Sequence, residues 1–169
     1  LTIWGTFRDD NGLPKVILLH AWRDRLALHD LVEKSAASCK RFKIDRLLIE
    51  AKASGISVAQ EMRRLYAGEG WSVQLIDPKG DKVARAYAVQ PLFADEMIYA
   101  PDRSWSDMVI TEMASFPRAP HDDLTDSATQ ALRHLRQIGV AVHGGEIQRE
   151  LTEDMMHKSG NGKPLYGAI

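Results

Sequence analysis

Two groups of residues in this chain have the type and spacing to do chemistry. One is Glu50, which closes the apolar run Arg46-Leu-Leu-Ile-Glu50; the other is the trio Asp122, Asp123 and Asp126. A carboxylate at the carboxyl end of a strand sits where open α/β sheets bind ligands, although a solvated strand-end glutamate would look the same in sequence. On a helix, Asp122 and Asp126 are i, i+4 neighbours, and Asp123 and Asp126 are i, i+3 neighbours. One aspartate is explained as a helix cap or a first-turn anion. Three repel one another by a few tenths of a kcal/mol per pair, roughly, and become favourable together when a cation joins them. Mg²⁺ or Mn²⁺ suits such oxygen donors, keeping waters and leaving room for a phosphate oxygen. His121 stands beside the cluster, placed to orient a carboxylate or contact substrate, or simply to lie in a surface loop. Lys52, Lys79, Lys82 and Arg85, with Ser54 and Gly55 in a small-residue stretch read as a loop, could hold phosphates without reading bases. An ordinary solvated face would carry the same charges, and no aromatic residues interleave with them as a stacking platform requires.

The elements that must position these groups follow from periodicity. Residues 2–7 and 15–22, branched and aromatic with Asp9, Asp10, Asn11 and Gly12 between them, predict a β-hairpin. From Leu28, the positions Leu31, Val32, Ser35/Ala36, Cys39 and Phe42 trace one buried helical stripe. Arg46–Glu50 predicts a strand, Val58, Met62 and Leu65 a helix, and Trp71–Ile76 another strand. A short helix follows over 82–89, with Pro91 as its stop, then an edge strand over 97–100. A helix over 105–115 has Met108, Ile110 and Met113 available for packing. The last helix opens at 121–126, with Leu124, Ala128, Ala131/Leu132, Leu135 and Ile138 as its stripe and Gly139 as its end. Strands alternating with helices after a hairpin make an α/β fold with a mixed sheet. The expected folded domain is 1–139, with 140–169 a poorly ordered tail rich in glycine and weak in periodicity.

Composition narrows the classes of function. The 44% hydrophobic and 27% charged content excludes wholesale disorder and a collagen-like chain. With 22 basic and 23 acidic residues, any affinity for a polyanion must come from a local patch. The single cysteine, Cys39, excludes an internal disulfide and a thiolate metal cluster, in keeping with a reducing compartment. Neither a membrane-spanning run nor a signal peptide is legible, so no membrane association is expected. No GxGxxG or GxxxxGK[ST] pattern is present either, which leaves out dinucleotide and P-loop phosphate sites. The start at Leu1 rather than Met points to sequence upstream.

Taken together, LLIEAKASGISVAQEMRR (47–64), PKGDKVARAYAVQPLFADEMIYAP (78–101) and SFPRAPHDDLTDSATQAL (115–132) resemble, in order and spacing, the C-terminal nuclease domain of tailed-phage terminase large subunits. The resemblance covers residues 1 to about 138. It implies a ribonuclease H-like fold and cleavage of concatemeric double-stranded DNA during genome packaging, with two ions of Mg²⁺ or Mn²⁺. It also implies an ATPase motor upstream, portal and small-terminase-subunit partners, and a bacterial cytoplasmic setting. By the same resemblance Glu50 is the second acidic ligand, Asp122 or Asp123 the third, and Asp126 a further acidic position. Lys82 and Arg85 become DNA-phosphate contacts or local anchors, and Lys52, Ser54 and His121 further DNA contacts.

Two departures stand out. Ala51 occupies a position that is commonly acidic in the family, and the family's first catalytic aspartate lies on a central strand preceding the hairpin, which this chain lacks. That gap implies an unpaired seam or an altered pairing of its neighbours, and weak nuclease activity for residues 1–169 alone. Two other readings share the acidic residues: a resolvase or transposase core of the same fold, and a non-catalytic prophage remnant that binds DNA or packaging partners.

Overall fold

A computed structural model describes residues 1–77 and 80–142, together with the isolated positions 145, 149, 152, 153 and 155. The hairpin is β1 (Thr2–Arg8) and β2 (Pro14–Ala21), antiparallel, with an irregularity in register between Ile3 and Trp4. Its turn is held by Asp9, whose Oδ1 accepts from Asn11 N at 3.0 Å and Leu13 N at 2.9 Å, while Gly12 takes a left-handed φ of 77°. β5 (Ile98–Tyr99) adds to the other edge of β2 in parallel. A separate pair, β3 (Arg46–Glu50) and β4 (Ser72–Ile76), runs parallel in register from Arg46 opposite Ser72 to Glu50 opposite Ile76.

The expected mixed sheet is therefore divided into a three-stranded mixed sheet ordered β1-β2-β5 and a two-stranded parallel one. Among the described residues no strand pairs with the outer edge of β1 or with the edge of β3 away from β4. The hairpin does not close against Arg46–Glu50, so the seam is open.

Among the described residues six helices cover the strands: α1 (Leu28–Phe42), α2 (Ala53–Leu65), α3 (Lys82–Tyr87), α4 (Gln90–Ala94), α5 (Ser104–Ser115) and α6 (Asp123–Gln137). α1 buries Val32, Ala36 and Cys39 against Leu47, Val58 and Met62, a core belonging to the β3–β4 unit. α6 contributes to the other two cores. Its Leu124 and Ala128 pack with Leu18, Ala21 and Val109, and its Leu132 with Val16, Val89 and Met97. This long stripe makes α6 the spine of the β1–β2–β5 half. α6 also reaches the other half, where His134 Nε2 accepts from Arg46 Nη1 at 2.8 Å. Near its start, Ser127 Oγ accepts from Thr2 N at 3.1 Å and covers one amide on the open side of β1.

Three expectations need correction. Pro91 does not end the helical region; it occupies the first turn of α4, where its missing N–H costs nothing. On α5, Met113 packs against the core as expected, but Met108 and Ile110 are exposed, and the buried face is Ser106, Val109 and Glu112. Ser54 and Gly55 are not in a loop but in the first turn of α2. At the far end, Ala141 is fully buried in the core with Val16 and Leu132. Most of the expected tail lies outside the described residues. Among the described residues no helix is long and apolar enough to cross a membrane.

Candidate metal and nucleic-acid site

Glu50 ends β3 because the strand's pairing with β4 stops there, and its side chain is about three-quarters buried. α2 begins immediately afterwards and its first turn abuts the strand end. A Cβ placed on Gly55 would lie 2.1 Å from the Glu50 carbonyl oxygen and 3.2 Å from Ile49 Cγ2. Only glycine permits that approach. Lys52, at the start of α2, puts its ammonium 2.7 Å from Glu50 Oε1, but outside hydrogen-bonding alignment, so this buried oxygen accepts no directed hydrogen bond.

The aspartates come from the start of α6. Asp122 is the N-cap residue, and Asp123 and Asp126 lie in the first turn. Opposite them stands α3, capped by its own aspartate through Val83 N to Asp81 Oδ2. Lys82 bridges Asp122 and Asp126, its Nζ 2.5 Å from Asp122 Oδ2 and 2.8 Å from Asp126 Oδ2. Arg85, one turn on, is buried, donates to Asp126 Oδ1 at 3.1 Å and to the Gly80 carbonyl at 3.1 Å, and keeps Nε without a partner.

The hydrogen bond from Lys82 holds the Asp122 carboxyl below its ordinary range, with burial opposing and the charges of Lys82 and Lys52 adding to the effect. Hydrogen bonds to Asp122 and Asp126 in turn push Lys82 upward. Lys52 is ion-paired with Glu50, and its charge adds to the lowering at Asp122. Asp123 is exposed. Its charge acts on the Leu1 amino group, whose pKa burial lowers against the pull of Asp123 and Glu112. Of the two candidates left open by the sequence, Asp122 joins Lys82 and Asp126, whereas Asp123 is exposed. His121 and Ser54 are exposed and Lys52 is largely exposed, whereas Lys79 lies outside the described residues. The buried, doubly bonded Arg85 is an anchor of α3 on α6, the second of the two roles the resemblance left open for it.

Sequence reading missed Glu112 and Arg23. Glu112 Oε1 accepts from both Leu124 N at 2.7 Å and Thr125 N at 2.9 Å, and its Oε2 accepts from Arg23 Nη1 at 2.7 Å. The available signal was a glutamate three residues after Val109, on the buried face of α5.

A family model described as the terminase RNaseH-like domain matches residues 8–135. The chain belongs to this family. Neither a curated protein nor a solved structure matches it. As a member, it has the α/β architecture that the resemblance implied, with both acidic groups on elements inside the matched span.

The divalent ions implied by the resemblance suit the oxygen donors present. Asp122 and Asp126 already converge on one cation, the Lys82 ammonium, and Glu50 Oε1 is a buried oxygen without a directed donor. The fit is to one seat of two carboxylates, Asp122 and Asp126. Among the described residues no three acidic, histidine or cysteine side chains gather at ligand spacing.

Proposed function

We propose that this terminase domain is a DNA endonuclease that hydrolyses phosphodiester bonds of concatemeric viral DNA, with Mg²⁺ or Mn²⁺ held by Asp122, Asp126 and Glu50. The observation that supports this reading most directly is the bridging of Asp122 and Asp126 by a single cation, the Lys82 ammonium. When bound, paired divalent ions supply a hydroxide nucleophile and stabilise the leaving 3′ oxygen. Glu50, Asp122 and Asp126 bind and orient; they need not take a proton. Lys52, largely exposed, is free to turn from Glu50 to a DNA phosphate, and the exposed Ser54 and His121 are further candidate contacts. Contacts of this kind position a backbone without reading sequence, so cleavage is weakly sequence-specific.

The charges also explain why residues 1–169 alone should cut slowly. Glu50, Asp122 and Asp126 are matched by Lys52, Lys82 and Arg85, leaving little net negative charge for divalent ions. A strand seated between β1 and β3 and carrying another carboxylate would supply it and close the seam. Partners in this reading are double-stranded DNA, a portal and a small terminase subunit, in the cytoplasm of a bacterial host.

The test is cleavage of supercoiled plasmid and of a four-way junction in Mn²⁺. Slow plasmid nicking is expected, abolished by chelator and by Glu50→Ala or Asp122→Ala, and faster in a chain extended upstream by such a strand. Selective cutting of the junction would favour the resolvase reading. DNA binding without cutting, even in the extended chain, would favour the non-catalytic one.

A further inference from the structure

The N-cap of α6 is an aspartate that does not cap. An N-cap carboxylate ordinarily turns back to accept from the backbone N–H two or three residues on. For Asp122 those donors are Leu124 N and Thr125 N, and its side chain reaches neither. Both belong to buried residues, so both need an acceptor. Glu112 supplies it from α5, one oxygen taking both N–H groups while Arg23 holds the other. Asp122, relieved of the local role its position favours, points to Lys82 instead.

We propose that Glu112 is a positioning residue for the cation seat: by capping α6 from outside, it keeps the Asp122 carboxylate turned away from its own helix and toward Asp126. The inference rests on the reading of Asp122 as a cation ligand, but the competition between two carboxylates for the same two N–H groups can be measured without any metal. Without Glu112, the nearest replacement acceptor is Asp122. Turning back to cap the helix would take it off the seat.

A double-mutant cycle in the full 169-residue chain tests this. Asp122→Ala should lower the melting temperature more in a Glu112→Ala background than in the parent, by about 3 °C, because there it removes the substitute cap. Glu112→Asp, which keeps the charge facing Arg23 but shortens the reach, should show the same coupling, smaller, if Glu112→Ala does not fold. Mn²⁺ affinity followed by electron paramagnetic resonance should fall about tenfold in Glu112→Ala, as outer-shell losses do, and stay near the parent value in Glu112→Gln, whose amide oxygen can still accept. Additive melting shifts would overturn the proposal, and so would an Mn²⁺ affinity unmoved by Glu112→Ala. Coupled melting with no Mn²⁺ binding in the parent or any variant would leave Glu112 in control of Asp122 and remove the metal reading instead.

Discussion

Gly55 shows how little room the Glu50 end of β3 has. The atom that a side chain would meet there is a backbone carbonyl, which cannot swing aside as a side-chain tip can. Gly55→Ala gains helix propensity worth about 1 kcal/mol, but forces α2 and the end of β3 apart, an overpacking that costs about 1–3 kcal/mol. We expect the clash to win. Chemical denaturation should show a net loss of about 1 kcal/mol, with weaker Mn²⁺ binding because Glu50 moves with the strand; a stabilised variant with unchanged binding would mean that the two elements have slack. This glycine was legible as a point of close approach, but the approaching group was read as a phosphate. Type and spacing suggest that something comes near, whereas only the fold says what. The same limit applies to Asp122 and Asp123, adjacent in sequence, of which Asp122 pairs with Lys82 and Asp123 is exposed.

Elements whose stripe is plain hydrocarbon were the legible ones. The hairpin, α1, β3, β4 and most of α6 follow their apolar periodicity to within a residue or two. α5 did not, because its buried face carries Ser106 and Glu112, and their burial depends on partners from distant segments. α3 is a related case. Its six residues are too few to stand alone, and the ion pairs of Lys82 and Arg85 fasten it to α6. Arg85→Ala would leave the partly buried Asp126 without that partner and the Gly80 carbonyl without its donor, at a cost of about 3 kcal/mol. Thermal unfolding should show a clear drop in melting temperature. Unchanged stability together with weakened binding to unrelated DNA sequences would instead make Arg85 a phosphate contact.

At the scale of the molecule, the two sheets are tied partly through Arg46 and His134. For His134 Nε2 to accept, the imidazole must be neutral, and burial lowers its pKa below the ordinary 6.5, with the Arg46 charge adding. The unfolded chain therefore takes up the proton first. The stabilisation is complete above about pH 6.5 and is lost as pH falls from there through the lowered native value. Melting temperatures between pH 7 and 5 should fall less steeply in His134→Gln, which keeps an acceptor and does not titrate. An identical slope would show that the bridge does not hold the halves together.

The balance of charge around Glu50, Asp122 and Asp126 has a consequence for encounter. Three bare carboxylates would present a negative monopole to an approaching duplex. With Lys52, Lys82 and Arg85 interleaved, the metal-free centre is closer to a set of crossed dipoles, whose field dies away faster with distance than that of a net charge. Ionic screening over about 8 Å in physiological salt shortens its reach further. A polyanion can therefore come to rest against this surface before any metal has arrived, and the order in which DNA and ion load need not be imposed by repulsion.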